Sequence, residues 1–370
     1  MSALFQPLRL RELALENRIM ISPMCQYSAV DGSATDWHTI HLGHLALGGA
    51  AILFVEATGV SAVGRITHGC LGLYSDANEA ALARVLESVR AHSPIRLGIQ
   101  LAHAGRKGSS KAPWEGGAQI PLAQGGWTAV APSAIPHSEE EAPPHALTAR
   151  EIEDLKRDFA TATRRAERLG FDAIEIHSAH GYLLHEFLSP VSNRRTDAYG
   201  GSLENRMRLP LEIFAAVRAE WPQRKPLGVR ISSTDWVEDG WSLEDSIVFA
   251  KKLKTLGCDW IDASSGGVSP KQKIALGPGY QVQFAEAIRR EAGIVTIAVG
   301  LITEPRQAEE IVGSGKADMV ALARAMLYDP RWAWHAAAEL GAKVGAPEQY
   351  WRCPPRGNSG LFREARSGQR

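Results

Sequence analysis

Eight runs of apolar residues recur along the chain, and each run is nearly continuous rather than alternating with polar residues. Runs of this kind are typical of parallel strands that are covered on both faces. The predicted strands are residues 19–22, 51–56, 95–101, 171–176, 226–231, 259–263, 295–299 and 318–322.

Between these runs the apolar positions recur with the helical period. The predicted helices are residues 38–47, 78–92, 149–169, 203–220, 243–256, 281–291, 304–314 and 330–340. Thr148 precedes Glu151 at the spacing of a capping box, and Ser242 precedes two acidic residues that favour a helix start. Glycines that can end a helix follow three of these segments, at Gly170, Gly257 and Gly315.

Eight strand–helix alternations predict a (β/α)8 TIM barrel, an α/β fold that needs about 250 residues plus insertions. We expect residues 1–341 to form one such barrel. A stretch rich in Gly, Pro, Ser and Ala at about 105–147 follows the third strand and is expected to cap the barrel mouth. Residues 342–370 form a C-terminal tail that we expect to contact a neighbouring subunit.

The charge balance excludes several classes of partner. The 370 residues include 41 Lys and Arg against 41 Asp and Glu, so nothing favours nucleic acid or an anionic membrane. No stretch approaches the roughly 18 apolar residues of a membrane span, and the amino-terminal residues do not resemble a signal peptide. Four widely spaced cysteines argue against zinc, iron–sulfur or disulfide frameworks. We therefore expect a cytoplasmic protein with reduced thiols.

Candidate chemistry concentrates where the fourth predicted strand ends. His177, His180 and Tyr182 follow that strand, and strand carboxyl ends surround the active site in this fold. The histidines are open to two interpretations, metal ligands or hydrogen-bond donors. Carboxylates are few, since Glu175 and Asp262 lie inside strands, and no third ligand is evident, so we expect no metal. A metal-dependent barrel hydrolase using the two histidines remains the alternative, and a non-catalytic binding barrel is a further one.

The other strand ends supply donors. Gln100, Lys107, Arg230 and the imidazoles suit a planar, electron-rich ligand whose negative charge grows during reaction. Turns of small residues at 264–267, at Gly300 and at 323–324 suit the phosphate site that barrels build on their last strands. Flavin mononucleotide (FMN) meets both demands.

Several motifs carry a family resemblance. The segments SPMCQYS, IQLAHAGRK, EIHSAHGYLLHEFLSP, VRISSTDW, AVGLI and ARAMLYDP, in this order, resemble the Old Yellow Enzyme family of FMN-dependent ene-reductases. More narrowly, they resemble its bacterial, thermophilic-like (xenobiotic reductase) branch. The resemblance covers roughly residues 4–352.

The resemblance implies the FMN site. The implied contacts are Ser22, Pro23, Met24, Cys25, Ala57, Gln100, Arg230, Gly300, Ala323 and Arg324. Among these, Gln100 would meet the pyrimidine edge, Arg230 would lie near flavin N1, and Cys25 would tune the redox behaviour. Position 323 is often glycine in the family, so Ala323 is a mild departure unless a positive φ is required there.

The resemblance also implies the reaction. NADPH or NADH reduces the flavin and leaves, and an α,β-unsaturated carbonyl or nitro compound takes its place in a ping-pong cycle. His177 and His180 would donate hydrogen bonds to the substrate oxygen, hydride would come from flavin N5, and Tyr182 would deliver the proton. The implied substrate-binding residues are Tyr27, Lys107, His177, His180, Tyr182 and Arg352. Arg352 would reach the site of a neighbouring subunit, which implies a homodimer or a higher homo-oligomer.

Overall fold

A closed barrel of eight parallel strands forms the centre of the protein, as the sequence predicts. This computed structural model describes residues 2–366. The barrel strands are β1 (Ile19–Ile21), β2 (Ile52–Gly59), β3 (Arg96–Ala102), β4 (Ala173–Ser178), β5 (Leu227–Ser232), β6 (Trp260–Ser264), β7 (Val295–Val299) and β8 (Met319–Leu322). Consecutive strands are neighbours, and the barrel closes where Val320 of β8 pairs with Ile19 of β1.

Helices surround the barrel and pack apolar faces on it. They are α1 (Asp36–Ala46), α2 (Asp76–His92), α3 (Ala149–Arg168), α4 (Leu203–Glu220), α5 (Leu243–Thr255), α6 (Val282–Ala292), α7 (Pro305–Gly313) and α8 (Trp332–Glu339). The predicted capping box at Thr148 and Glu151 is confirmed. The predicted helix-ending glycines are confirmed too, because all three have a positive φ. Two short helices, Leu183–Leu188 and Arg324–Tyr328, lie outside the predicted segments.

A hairpin of Leu8–Leu10 and Leu13–Leu15, which the sequence analysis missed, closes the amino-terminal end of the barrel. Its leucines join a buried apolar cluster with side chains from inside the barrel. Each hairpin strand has only three residues, too few for the apolar pattern to distinguish a strand from a loop.

The segment 105–147 lies at the other end of the barrel. It contains the short helices Gly105–Lys107, Pro113–Glu115 and Leu122–Gln124 and the paired strands Val130–Ala131 and His145–Ala146. Trp127 Nε1 donates to the Val63 carbonyl at 3.1 Å, which fastens the segment to the loop after β2.

The tail packs against the amino-terminal end of its own barrel. Val344 pairs with Phe362, and the Phe362 ring lies 5.0 Å from the Trp334 ring between centroids. Gly49, just before β2, is so close that a Cβ there would lie 2.6 Å from Val344 Cγ2. The predicted division at residues 341 and 342 stays a prediction, and Met1 and residues 367–370 of the predicted ranges lie outside the described residues.

Candidate active site

The turn after β4 holds the two histidines in a fixed and unusual backbone conformation. His180 has φ of 59° and Gly181 has φ of 72°, so the chain turns sharply at the mouth of the barrel. The His180 N–H donates to Ser232 Oγ at 2.8 Å. Gly267 packs on the same turn, where a Cβ would lie 2.5 Å from the His180 backbone. The imidazoles are therefore placed by backbone packing and by the next strand.

The two imidazoles bring one nitrogen each close together. His177 Nε2 and His180 Nδ1 are 3.3 Å apart, and the rings meet edge to face. Burial lowers the pKa of both histidines well below 6.5, and the nearby Arg230 cation lowers it further. Both rings are therefore neutral at pH 7, and each carries one N–H.

Tyr182 lies against the first histidine. Its ring meets that of His177 edge to face with centroids 4.9 Å apart. Burial raises the pKa of the Tyr182 phenol well above 10.0, so the hydroxyl keeps its proton over the physiological pH range. The structure thus places a protonated phenol beside the nitrogen pair.

Lys107 lies beneath this turn. Its Nζ donates to the carbonyls of His180 at 2.9 Å and Gly267 at 3.2 Å and lies 5.1 Å from the Tyr182 ring centroid. Burial lowers the pKa of Lys107 to about 8. These contacts show Lys107 binding the turn, and a direct contact with substrate stays a prediction.

A layer of polar side chains fills the barrel interior just below the histidines. Gln100 Nε2 donates to Glu175 Oε1 at 2.9 Å, and Trp260 Nε1 donates to Glu175 Oε2 at 3.1 Å. Arg230 NH1 donates to Ser22 Oγ at 3.3 Å, and Arg230 Nε lies 3.3 Å from Asp262 Oδ2. The strand residues that the sequence analysis set aside, Glu175 and Asp262, therefore belong to the site.

Some buried polar atoms of this layer make no hydrogen bond. Within residues 2–366, Arg230 Nε and both carboxyl oxygens of Asp262 are buried without a hydrogen-bond partner. Burial, followed by repulsion from Asp262, raises the pKa of Glu175 to about 8, and burial also raises the pKa of Asp262. Arg230 is thus a buried cation that is paired with Asp262 by charge, while its Nε–H makes no hydrogen bond and can donate to an anionic or electron-rich ligand.

The loop after β1 forms one wall of the mouth. A register shift in the pairing of β2 with β3 falls at Glu56, and Glu56 Oε2 accepts the Gln26 N–H at 3.2 Å. Pro23, Met24 and Cys25 belong to this loop and are half-buried, whereas Ser22 and Ala57 are buried. A hydrogen bond with the Cys70 thiol, followed by burial, raises the pKa of the Cys25 thiol, so it stays protonated.

Tyr27 lies within that loop with φ of 53°. Its ring meets Trp114 edge to face at 5.4 Å between centroids. Trp114 is 72% exposed, so this pair forms an aromatic edge open to solvent at the barrel mouth. Trp114 could not be predicted from the sequence, because nothing in the pattern of the 105–147 segment relates it to Tyr27.

The last strand ends form a narrow cradle. Gly300 has φ of 114°, and a Cβ there would lie 2.5 Å from Gln281 Nε2, so only glycine fits. Ala323 has φ of −108°, and alanine in place of the family's glycine therefore requires no positive φ. Arg324 is exposed at the start of the short helix that follows β8. These features suit a phosphate group.

Arg352 lies on the tail and is exposed. Nearby, Trp351 Nε1 donates to the Ala346 carbonyl and Tyr350 packs on Trp334. The tail is anchored near Gly49, at the amino ends of the strands, whereas the histidine pair lies at their carboxyl ends. Any contact of Arg352 with an active site is therefore expected to be with that of another subunit.

Comparison with known proteins identifies the class. Residues 3–342 match the NADH:flavin oxidoreductase / NADH oxidase family. The chain belongs to this family, and its resemblance to the Old Yellow Enzyme family is confirmed.

The alignments with two NADPH dehydrogenases cover almost the whole chain. An NADPH dehydrogenase of Geobacillus sp. (strain WCH70) is 48% identical over 351 residues, which span 94% of this chain and 98% of the relative. An NADPH dehydrogenase of Listeria innocua is 46% identical over 354 residues, which span 95% and 99%. Morphinone reductase, solved in complex with tetrahydroNAD, has a TM-score of 0.75 at 28% identity, and the match spans 93% of this chain and 92% of that one.

The protein is therefore an oxidoreductase that uses FMN and a nicotinamide cofactor. The site fits FMN on three independent features: the buried Arg230 Nε, which makes no hydrogen bond, the Gly300 cradle, and the Gln100 amide, whose carbonyl remains for a ligand once its Nε2 is bound to Glu175. Each implied FMN residue lies at the carboxyl end of a barrel strand or on the loop that follows it.

Two further observations concern metal sites and membrane-spanning helices. Within residues 2–366, no three His, Cys, Asp or Glu side chains are grouped so that they could hold a metal ion. Of the helices in the same range, none is long and apolar enough to cross a membrane.

Proposed function

We propose that the enzyme is an ene-reductase, which reduces the C=C bond of α,β-unsaturated carbonyl or nitro compounds. The observation that carries the proposal is the convergence of His177 Nε2 and His180 Nδ1, 3.3 Å apart, beside the protonated Tyr182. Two neutral imidazoles with neighbouring nitrogens suit an oxygen that becomes more negative during the reaction.

His177 and His180 bind the substrate, and Tyr182 transfers the proton. His177 and His180 hold the substrate oxygen and so draw electron density from the C=C bond. Bound FMN would supply the hydride chemistry that links the nicotinamide to the β-carbon. Tyr182 donates its phenolic proton to the α-carbon, which completes the addition of H⁻ and H⁺ across the double bond. A phenol of raised pKa suffices, because an enolate is the stronger base.

The surrounding residues orient the cofactor and the substrate. Arg230, Gln100 and the Gly300 cradle would hold the cofactor, and the burial of Arg230 and Gln100 would strengthen their electrostatic effect. Tyr27 and Trp114 bound the open side and are expected to limit the shape of the substrate. A metal-dependent hydrolase is not favoured, because His177 and His180 lack a third ligand within residues 2–366.

The first test is an anaerobic titration of the purified holoenzyme. We expect NADPH to bleach the flavin absorbance and 2-cyclohexenone to restore it. Reduction by NADPH with no reoxidation by any activated alkene or nitro compound would contradict the proposal while leaving the family assignment intact.

The second test separates the proton donor from the binding pair. Tyr182→Phe is expected to slow alkene reduction by about 100-fold, in the range for loss of a general acid, and to spare flavin reduction by NADPH. His177→Ala should weaken phenol binding about tenfold or more and leave flavin binding nearly unchanged. Stopped-flow measurement of each half-reaction distinguishes these effects. Wild-type turnover of 2-cyclohexenone by both variants would refute the site assignment.

We further propose that the enzyme is a homodimer or higher homo-oligomer in which Arg352 completes the partner's site. The tail's position at the opposite end of its own barrel supports action between subunits. Arg352→Ala is a cleaner test than truncation from residue 346, because truncation removes Phe362 from its contact with Trp334. We expect a higher KM with an unchanged oligomeric state, and unchanged kinetics would contradict this role.

A further inference from the structure

The Ser264 hydroxyl contacts the second histidine on the side that faces away from the substrate position. Ser264 is the last residue of β6 and is buried, and its Oγ lies 2.7 Å from His180 Nε2. The same Oγ lies 3.5 Å from Gln281 Oε1. The neighbouring Ser265 donates to that amide oxygen at 2.5 Å but is not among the contacts of the imidazole.

The proton positions follow from the surrounding donors. His177 Nδ1 accepts the Ala179 N–H at 3.2 Å, so the neutral ring carries its proton on Nε2. That N–H points at His180 Nδ1, which must accept, and His180 therefore carries its own proton on Nε2 and donates to Ser264. Gln281 Nε2 donates to the Val299 carbonyl, which turns its Oε1 toward the serines as an acceptor for the Ser264 O–H.

This arrangement offers a substrate oxygen only one donor. An oxygen between the two rings would receive the His177 Nε2–H but would face the bare lone pair of His180 Nδ1. For both rings to donate, His180 must carry its proton on Nδ1, and its Nε2 must then accept from a buried donor. Ser264 is the group within reach of Nε2 that can donate.

We infer that Ser264 sets the tautomer of His180, accepting from Nε2–H in the free site and donating to Nε2 when a substrate oxygen is bound. The inference rests on the proposed function and deepens it by assigning a positioning residue. The change relocates one proton from Nε2 to Nδ1 of the same ring by exchange with solvent, so the number of protons is unchanged. The Ser264 O–H turns from Gln281 to His180.

A hydroxyl is suited to this role because it both donates and accepts through one atom. Alanine at this position can satisfy neither tautomer. Burial lowers the pKa of His180, and the positive charges of Arg230 and Lys107 act in the same direction, as do His177 and His185 when they are protonated. The ring therefore stays neutral, and a change of tautomer replaces a change of charge.

The tautomer can be measured directly in the FMN-loaded enzyme labelled with ¹⁵N-histidine. The His180 signals are assigned by their loss in His180→Asn. We expect Nε2–H in the free enzyme and Nδ1–H after saturation with 4-hydroxybenzaldehyde, whose phenolic oxygen serves as the probe. A His180 that keeps its proton on Nε2 in the complex would overturn the inference.

Binding of the same phenol to matched variants gives the second readout. Ser264→Ala should weaken it about tenfold, the loss expected for one buried hydrogen bond. Ser265→Ala removes a hydroxyl from the same amide without touching the imidazole and should bind within about twofold of wild type. Ser264→Thr retains the hydroxyl and should restore most of the affinity.

The outcomes separate this inference from the proposed function. Equal affinities of Ser264→Ala and Ser265→Ala, with His177→Ala still impaired, would overturn the role of Ser264 alone. Phenol binding that is insensitive to His177→Ala would overturn both. Retention of FMN absorbance by each variant shows that the barrel remains folded.

Discussion

The barrel interior has two layers that differ in chemistry although the same strands build them. The lower layer is apolar and closed by the amino-terminal hairpin, and its barrel residues include Met20, Phe54, Trp260, Ile297 and Met319. The upper layer is polar, and its residues include Ser22, Gln100, Glu175, Arg230 and Asp262. Trp260 and Asp262 belong to different layers because alternate residues of a strand face the same side.

The contrast shows where the fold is stabilised and where it is prepared for a ligand. Burial of the lower layer removes apolar surface from water, which stabilises the fold. The upper layer buries Arg230 Nε and both Asp262 oxygens without hydrogen bonds, which is unfavourable unless something else compensates. We interpret the lower layer as the source of stability and the upper layer as the part completed by FMN.

The largest expected effect comes from opening the lower layer. Phe54 is 2% exposed, and Phe54→Ala should reduce the free energy of unfolding by about 3–5 kcal/mol through lost burial and a cavity. Urea titration of the apoprotein measures the loss, and Phe54→Leu should lose less. A folded Phe54→Ala enzyme should bind FMN normally, and selective loss of FMN affinity would break the distinction between the layers.

An intermediate effect is expected from the pH dependence of the upper layer. Burial raises the pKa of Glu175 from 4.5 to about 8, so the folded apoprotein binds a proton that the unfolded chain has released. Stability should therefore fall as pH rises from about 4.5 to about 8, by up to about 1.4 kcal/mol per pH unit for one proton.

Glu175→Gln is the matched control for this slope. The variant should lack the Glu175 contribution, while that of Glu186, whose pKa burial also raises to about 8, is common to both proteins. The quantity to compare is the difference in free energy of unfolding between variant and wild type at pH 5 and pH 8. A difference independent of pH would show that Glu175 is ionised in the folded protein.

The smallest expected effect concerns one hydrogen bond to the cation. Ser22→Ala removes the acceptor of Arg230 NH1 and should weaken FMN binding by about 1 kcal/mol, with little change in the stability of the apoprotein. Ser28→Ala is the control, because Ser28 Oγ donates to the Gln26 carbonyl on the same loop. FMN fluorescence on binding measures both, and equal effects would place the role of Ser22 in the loop's conformation.

Much of the fold could be predicted from local pattern. Residues 295–299 and 203–220 were predicted with the observed bounds of β7 and α4, and the other strands differ by a few residues at their ends. Long apolar runs and capping signals are local features, so they can be identified without tertiary contacts. The three-residue hairpin strands and the short helix Leu183–Leu188 were missed, because few residues give little periodicity.

The site was predictable as a set of residue types, and less so as a set of contacts. His177, His180 and Tyr182 stand together in the sequence, whereas the resemblance alone supplied their roles. Glu175 and Asp262 were noticed as charges within apolar runs, but their neighbour Arg230 comes from another strand. Trp114 and Gln281 could not be assigned to the site from the sequence. Trp114 meets Tyr27 only through loop packing, and Gln281 meets Ser264 only through packing at the Gly300 turn.

The order of the apolar runs and the motifs at their ends sufficed to predict the barrel, the family and a set of residues near its mouth, because parallel strands place all their carboxyl ends on one rim. The pairing of those side chains follows from the tertiary structure. These contacts include the 3.3 Å approach of the two imidazoles, the Arg230 Nε that is buried without a hydrogen bond, and the contact of His180 with Ser264. Such contacts join strands far apart in the chain, and their geometry depends on barrel closure and side-chain packing rather than on any local pattern.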